Sequence, residues 1–95
     1  MQDKRCLRIC RGNIKRAVSW YVMASYAYYV DDDPIITDEC FDKVTKMLLK
    51  AHPTLNEEEQ KLLPVDLLKA GTYLGEYPAW TPGVVELIRK EDKDE

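Results

Sequence analysis

A chain of 95 residues, 45% apolar and 33% charged, is sized for one domain with a modest core, and its composition excludes both a disordered and a membrane-spanning chain. No apolar run approaches the roughly 18 residues needed to cross a bilayer, and nothing behind the basic start reads as a signal peptide, so a cytoplasmic location is expected. The net charge of −3 conceals an imbalance: residues 1–16 hold Lys4, Arg5, Arg8, Arg11, Lys15 and Arg16 against Asp3 alone, whereas the remainder is strongly acidic.

The basic N-terminal segment, residues 1–12, has room for a short helix packing Leu7, Ile9 and Cys10. Asn13, after Gly12, is a good N-cap for a long helix over about 13–30. Ile14, Val18, Tyr21, Val22, Ser25 and Tyr29 follow helical spacing there, and Ala17 and Ala24 favour it. Asp31–Asp33 break this helix, since three adjacent carboxylates oppose the negative end of the dipole and Pro34 pushes Asp33 out of helical geometry. Thr37 caps a second helix over 38–51, with Asp38 and Glu39 well placed in its first turn. Phe41, Val44, Leu48 and Ala51 mark its buried face, Met47 widens that face, and Pro53 stops the helix. The two form a helical hairpin.

The remainder closes it. Asn56 is positioned to cap Glu57–Leu62, and Pro64 to open a helix to about Lys69 with Gly71 as its stop. Thr72–Trp80 reads as a Gly- and aromatic-rich loop. Thr81 as N-cap and Pro82 at the first position start a last helix burying Val84, Val85 and Ile88. No segment reads as a strand. The expected fold is an all-α single domain over 1–95: a hairpin at 13–55, a helical extension at 56–90 and a frayed charged tail at 91–95.

Three cysteines, Cys6, Cys10 and Cys40, argue against a disulfide framework because the count is odd. With His52 they supply four zinc-ligand types, but no Cys-x-x-Cys pair is present, and buried small hydrophobes is the simpler reading, so no metal is expected. The exposed-looking loop at Tyr77 and Trp80 offers residue types enriched at interfaces, or else a small satellite core under the last helix. Arg8, Arg11, Lys15 and Arg16 offer a surface for nucleic acid. Without interleaved aromatics, a solvated face that offsets the acidic body is the simpler reading of these charges.

The hairpin corner concentrates chemistry. Tyr28 and Tyr29 end one helix, Asp32 lies in the turn, and Asp38 and Asp42 share a face of the next with Phe41 beside them. Aromatic faces attract cations, and carboxylates accept hydroxyl hydrogen bonds, so the corner suits a flat cationic ring carrying a sugar. Equally, Asp38 could serve the helix start, Asp42 could pair with Lys43 or Lys46, and the tyrosines could be core.

Tyr28-Tyr29-Val30-Asp31-Asp32-Asp33-Pro34-Ile35-Ile36-Thr37-Asp38-Glu39-Cys40-Phe41-Asp42 resembles the N-terminal signature of bacterial NAD-dependent DNA ligases. That signature reads Tyr, Tyr or His, Val, any, Asp, any, Pro, any, Ile, Ser/Thr/Pro, Asp, two variable positions, Tyr, Asp. The likeness runs without gaps over about residues 15–55, ending at His52-Pro53-Thr54-Leu55, similar to the family's His-Pro-Glu-Leu. In that family the domain holds the nicotinamide mononucleotide (NMN) half of NAD. The resemblance implies NMN contacts at Tyr28, Tyr29, Asp38, Phe41 and Asp42, with Phe41 replacing the family's tyrosine and so lacking its hydroxyl.

The family's Lys-x-Asp-Gly nucleophile motif is absent, since Lys90-Glu91-Asp92 runs on to Lys93. Without that lysine no lysyl-adenylate forms, so no catalytic residue is assigned. The resemblance therefore implies an NMN- or NAD-binding accessory module, one that works beside a separate adenylation-domain protein. The alternatives are a protein-interaction module that kept the hairpin and lost the ligand, and a nucleic-acid-associated accessory protein. So compact a relative suits a mobile genetic element such as a phage.

Overall fold

Helices begin where a side chain can take up the first free amides. Asn13 Oδ1 accepts the Lys15 amide at 3.0 Å, and Thr37 Oγ1 accepts the Cys40 amide at 3.1 Å. Asn56 and Glu59 form a reciprocal capping box at 2.8 and 3.2 Å. The computed structural model describes residues 1–70 and 77–92, and over them the chain is all-α. The helices are α1 (Asp3–Gly12), α2 (Ile14–Tyr29), α3 (Asp38–Ala51), α4 (Glu57–Leu62), α5 (Val65–Ala70) and α6 (Thr81–Asp92), with a single 3-10 turn at His52–Thr54. Among the described residues no helix is long and apolar enough to cross a membrane.

The expected hairpin is α2 and α3. Helix α2 is the centre of the fold. It buries Ala17, Val18, Trp20, Tyr21, Val22, Met23, Ala24, Ser25 and Ala27, more than one stripe can hold, because α1, α3 and α6 all pack against it. Helix α3 presents Cys40, Val44, Thr45 and Leu48 and is covered on another side by α5. One core runs through all of these elements, from Cys6 and Cys10 to Val85 and Ile88.

The expected N-terminal helix is α1: Cys10 is buried, Leu7 and Ile9 pack partly against the core, and Cys6 is buried beside them. Three expectations need correcting. Thr81 does not cap α6. The Trp80 carbonyl accepts the Val84 amide at 3.1 Å, so α6 starts one residue earlier, with Thr81 inside the helix and fully buried. Val84 is only partly buried, and Val85 and Ile88 make the inner face. Glu91 does not belong to a frayed tail, because it lies in α6 and pairs with Arg5 of α1. The stop assigned to Gly71 and most of the Thr72–Trp80 loop lie outside the described residues, as do residues 93–95.

The turn between α2 and α3 is held from three directions. Asp32 adopts a left-handed φ of 52°, which Asp tolerates better than most residues. The Asp33 amide donates to Ala27 O at 2.8 Å. From α6, Arg89 reaches Asp31 Oδ2 at 2.8 Å, Asp33 O at 2.5 Å and Asp33 Oδ2 at 3.3 Å. From the N-terminus, the Gln2 amide donates to Ile35 O at 2.9 Å. Asp3 accepts both the Thr37 amide, at 2.9 Å, and the Thr37 hydroxyl, at 2.5 Å.

Thr37 thus caps α3 and ties it to α1 at once. Thr37→Ala is expected to lower unfolding stability by about 1–2 kcal/mol, the upper range of a lost N-cap, in chemical denaturation. Thr37→Ser keeps the hydroxyl and should stay within about 0.5 kcal/mol of the parent.

Candidate ligand-binding site

On α2 and α3, the five contact candidates within the Tyr28–Asp42 signature, Tyr28, Tyr29, Asp38, Phe41 and Asp42, line one cleft, and Pro34 and Ile36 of the turn line it with them. Its volume is about 520 Å³, within the range of small-molecule sites, roughly 300–1,000 Å³. Tyr28 and Tyr29 stand at its rim, half-exposed, and meet edge to face with ring centroids 4.8 Å apart. Phe41 forms part of the wall and is fixed from behind by stacking on Tyr21, 4.8 Å between centroids and 30° between planes. Burial pushes the Tyr21 phenol up to about 12, so it backs the wall as a neutral ring.

The two aspartates differ. Asp42 Oδ2 pairs with Lys46 Nζ at 3.0 Å, an exposed i, i+4 contact of small energetic weight. Asp38 opens α3 in its first turn and is exposed. Among the described residues no side chain pairs with it. One free carboxylate and one lightly held carboxylate therefore face a cleft with aromatic walls, whose floor and sides include Ala24, Ser25, Ile36 and Leu49. Ser25 is buried, and its hydroxyl has no partner among the described residues. The donor set fits a ring that stacks or carries positive charge, attached to a group rich in hydroxyls.

Periodicity could have found more of this lining. Ala24 and Ser25 sit four and three residues before Tyr28, and Thr45, Lys46 and Leu49 continue the Asp38–Asp42 face at helical spacing. Leu68 and Lys69 of α5 complete the cleft, and no local pattern brings them there.

The other candidate residues lie elsewhere. Tyr77 is half-buried and packs edge to face on Tyr26 at 5.3 Å, so it belongs in part to the satellite core. Trp80 is 44% exposed. Arg8, Arg11, Lys15 and Arg16 are all exposed, on α1 and the first turn of α2. The cysteines are buried together. Cys6 Sγ and Cys10 Sγ are 3.9 Å apart, and hydrogen bonding to Cys10 together with burial holds the Cys6 thiol far above its ordinary range. Burial likewise raises Cys40. His52 is not with them, because its Nε2 meets Leu63 O at 2.9 Å. Among the described residues no three His, Cys, Asp or Glu side chains are placed to hold a metal ion.

No protein family, curated protein or solved structure matches the chain. The likeness to the ligase domain rests on the residues of the signature themselves.

Proposed function

We propose that the chain is a cytoplasmic accessory module that binds the nicotinamide mononucleotide moiety, free or within NAD, and does no chemistry alone. The observation that supports this reading is the convergence of Tyr28, Tyr29, Asp38, Phe41 and Asp42 on one cleft. The cationic nicotinamide ring would lie against aromatic faces, and the ribose hydroxyls would donate to Asp38 and Asp42. Catalysis would need a lysine nucleophile from a separate adenylation-domain protein.

Thermal denaturation with ligand tests it. At about 100 times Kd, NMN should stabilise the fold by about 2.7 kcal/mol, raising Tm by on the order of 10 °C for a domain this size. NAD should act similarly, and AMP, which lacks the ring, should not. No shift with millimolar NMN or NAD would sink the reading.

A second reading has its own observation. Trp80, just before α6, and Leu87 within it are exposed at 44% and 56%. Exposed large apolar side chains of this kind suit a protein contact. If they dock the adenylation-domain partner, Trp80→Ala should weaken that complex and leave NMN binding intact.

A further inference from the structure

The cations of the first sixteen residues take no part in the cleft. Lys4, Arg8 and Arg11 recur at i, i+4 and i+7 along α1, on the side opposite buried Cys6 and Cys10, and all three are exposed. At about 1.5 Å of rise per residue they span roughly 10 Å. Past Asn13, Lys15 and Arg16 are exposed in the first turn of α2.

Among the described residues the other unpaired cations, Lys50, Lys69 and Lys90, are scattered along the sequence, whereas these five fall together in residues 4–16. On α3 and α4, Lys43 pairs with Glu39, Lys46 with Asp42 and Lys61 with Glu57. Arg89 takes Asp31 and Asp33, and Arg5 takes Glu91. No described acid pairs with Lys4, Arg8, Arg11, Lys15 or Arg16. The nearby acid Asp3 is turned to Thr37. Lys15 and Arg16 also sit at the positive end of the α2 dipole, with no acidic residue in that turn, a placement unfavourable for the isolated fold. Five exposed cations without a described acidic partner, close together in sequence on an otherwise acidic chain, are complementary to a polyanion. Helix α1 carries no aromatic side chain on which an unpaired base could stack, which favours a duplex over a single strand.

We propose that α1 and the first turn of α2 bind the phosphate backbone of a double-stranded nucleic acid without reading its sequence, through Lys4, Arg8, Arg11, Lys15 and Arg16. This surface is independent of the cleft and of its ligand.

Fluorescence anisotropy of the whole chain with labelled mixed-sequence DNA and RNA duplexes tests it. With five phosphate contacts, raising salt from about 50 to about 200 mM should weaken binding by about 500-fold. Arg8→Ala/Arg11→Ala should lower the salt slope by about 2 and weaken low-salt binding by on the order of tenfold or more. Its Tm, read by circular dichroism, should be unchanged because both side chains are exposed. Lys43→Ala/Lys61→Ala removes the same charge from paired positions and should bind as the parent does. Binding to either duplex supports the proposal, and the tighter one names the source. Three results would overturn it: no binding at about 50 mM salt, an unaltered slope in the double arginine variant, or displacement of duplex by polyglutamate as effectively as by unlabelled duplex. The last would assign the surface to an acidic protein.

Discussion

Leu48→Ala is expected to destabilise the fold by about 3 kcal/mol, within the range of roughly 2–5 kcal/mol for buried Leu truncations. Leu48 is fully buried on α3, the helix that packs on both α2 and α5. Neighbours on two sides limit collapse into the space left behind, and limited collapse is what makes such a cavity costly. A domain of this length holds only about 5–15 kcal/mol in total, so the loss is a large share of its stability. Thermal melting should show Tm lower by on the order of 15 °C. Leu48→Met nearly conserves volume and should cost less than about 1.5 kcal/mol. A fall in Tm for Leu48→Ala no larger than that for Leu48→Met would show that α3 does not pack as described.

The second large effect concerns the cleft. Under the NMN reading, Asp38→Ala should weaken NMN binding by about ten- to a hundredfold. A hydrogen bond to a charged group is worth roughly 1.5–3 kcal/mol, and each ~1.4 kcal/mol is tenfold in Kd. Asp38 is exposed and no described side chain pairs with it, so its loss leaves no buried charge behind, and the fold should lose only a few tenths of a kcal/mol from the first turn of α3, about 0.3–1 at most. Calorimetric titration well below Tm separates the two effects. Phe41→Tyr is the reciprocal change. The ring already stacks on Tyr21, and an added phenol should tighten binding a few-fold, from about 0.5–1.5 kcal/mol for a neutral hydrogen bond. An Asp38→Ala variant that binds NMN as the parent does would remove the carboxylate from the site.

What could be read in the chain was local. Asn13, Thr37 and Asn56 announced three helix starts because an N-cap acts within three residues, and Pro53 ended α3 for an equally local reason. Thr81 misled because burial, not capping, decides its place: Val85 and Ile88 pull the first turn of α6 into the core and carry Thr81 with them. The long-range ties carried no sequence signal. Arg89 meets residues 58 and 56 positions away, and Asp3 meets Thr37 across 34. For the cleft, the aromatic and acidic residues were visible on two adjacent helices. Leu68 and Lys69 were not, since their helix, α5, reaches the cleft only through the path of the chain after Pro53.

The Arg89 clasp on the α2–α3 turn bears on how portable the ligand motif is. The signature occupies a short, continuous stretch, which invites treating residues 13–55 as a cassette to graft or express alone. Such a cassette would carry the tyrosines and aspartates but not their restraint. It would leave behind Arg89, which grips Asp31 and Asp33, the Gln2 and Asp3 bonds to the far side of the turn, and the α5 wall of the cleft. Modularity in this molecule therefore follows the whole fold rather than the motif, and an engineer borrowing the cleft would have to borrow α1, α5 and α6 with it.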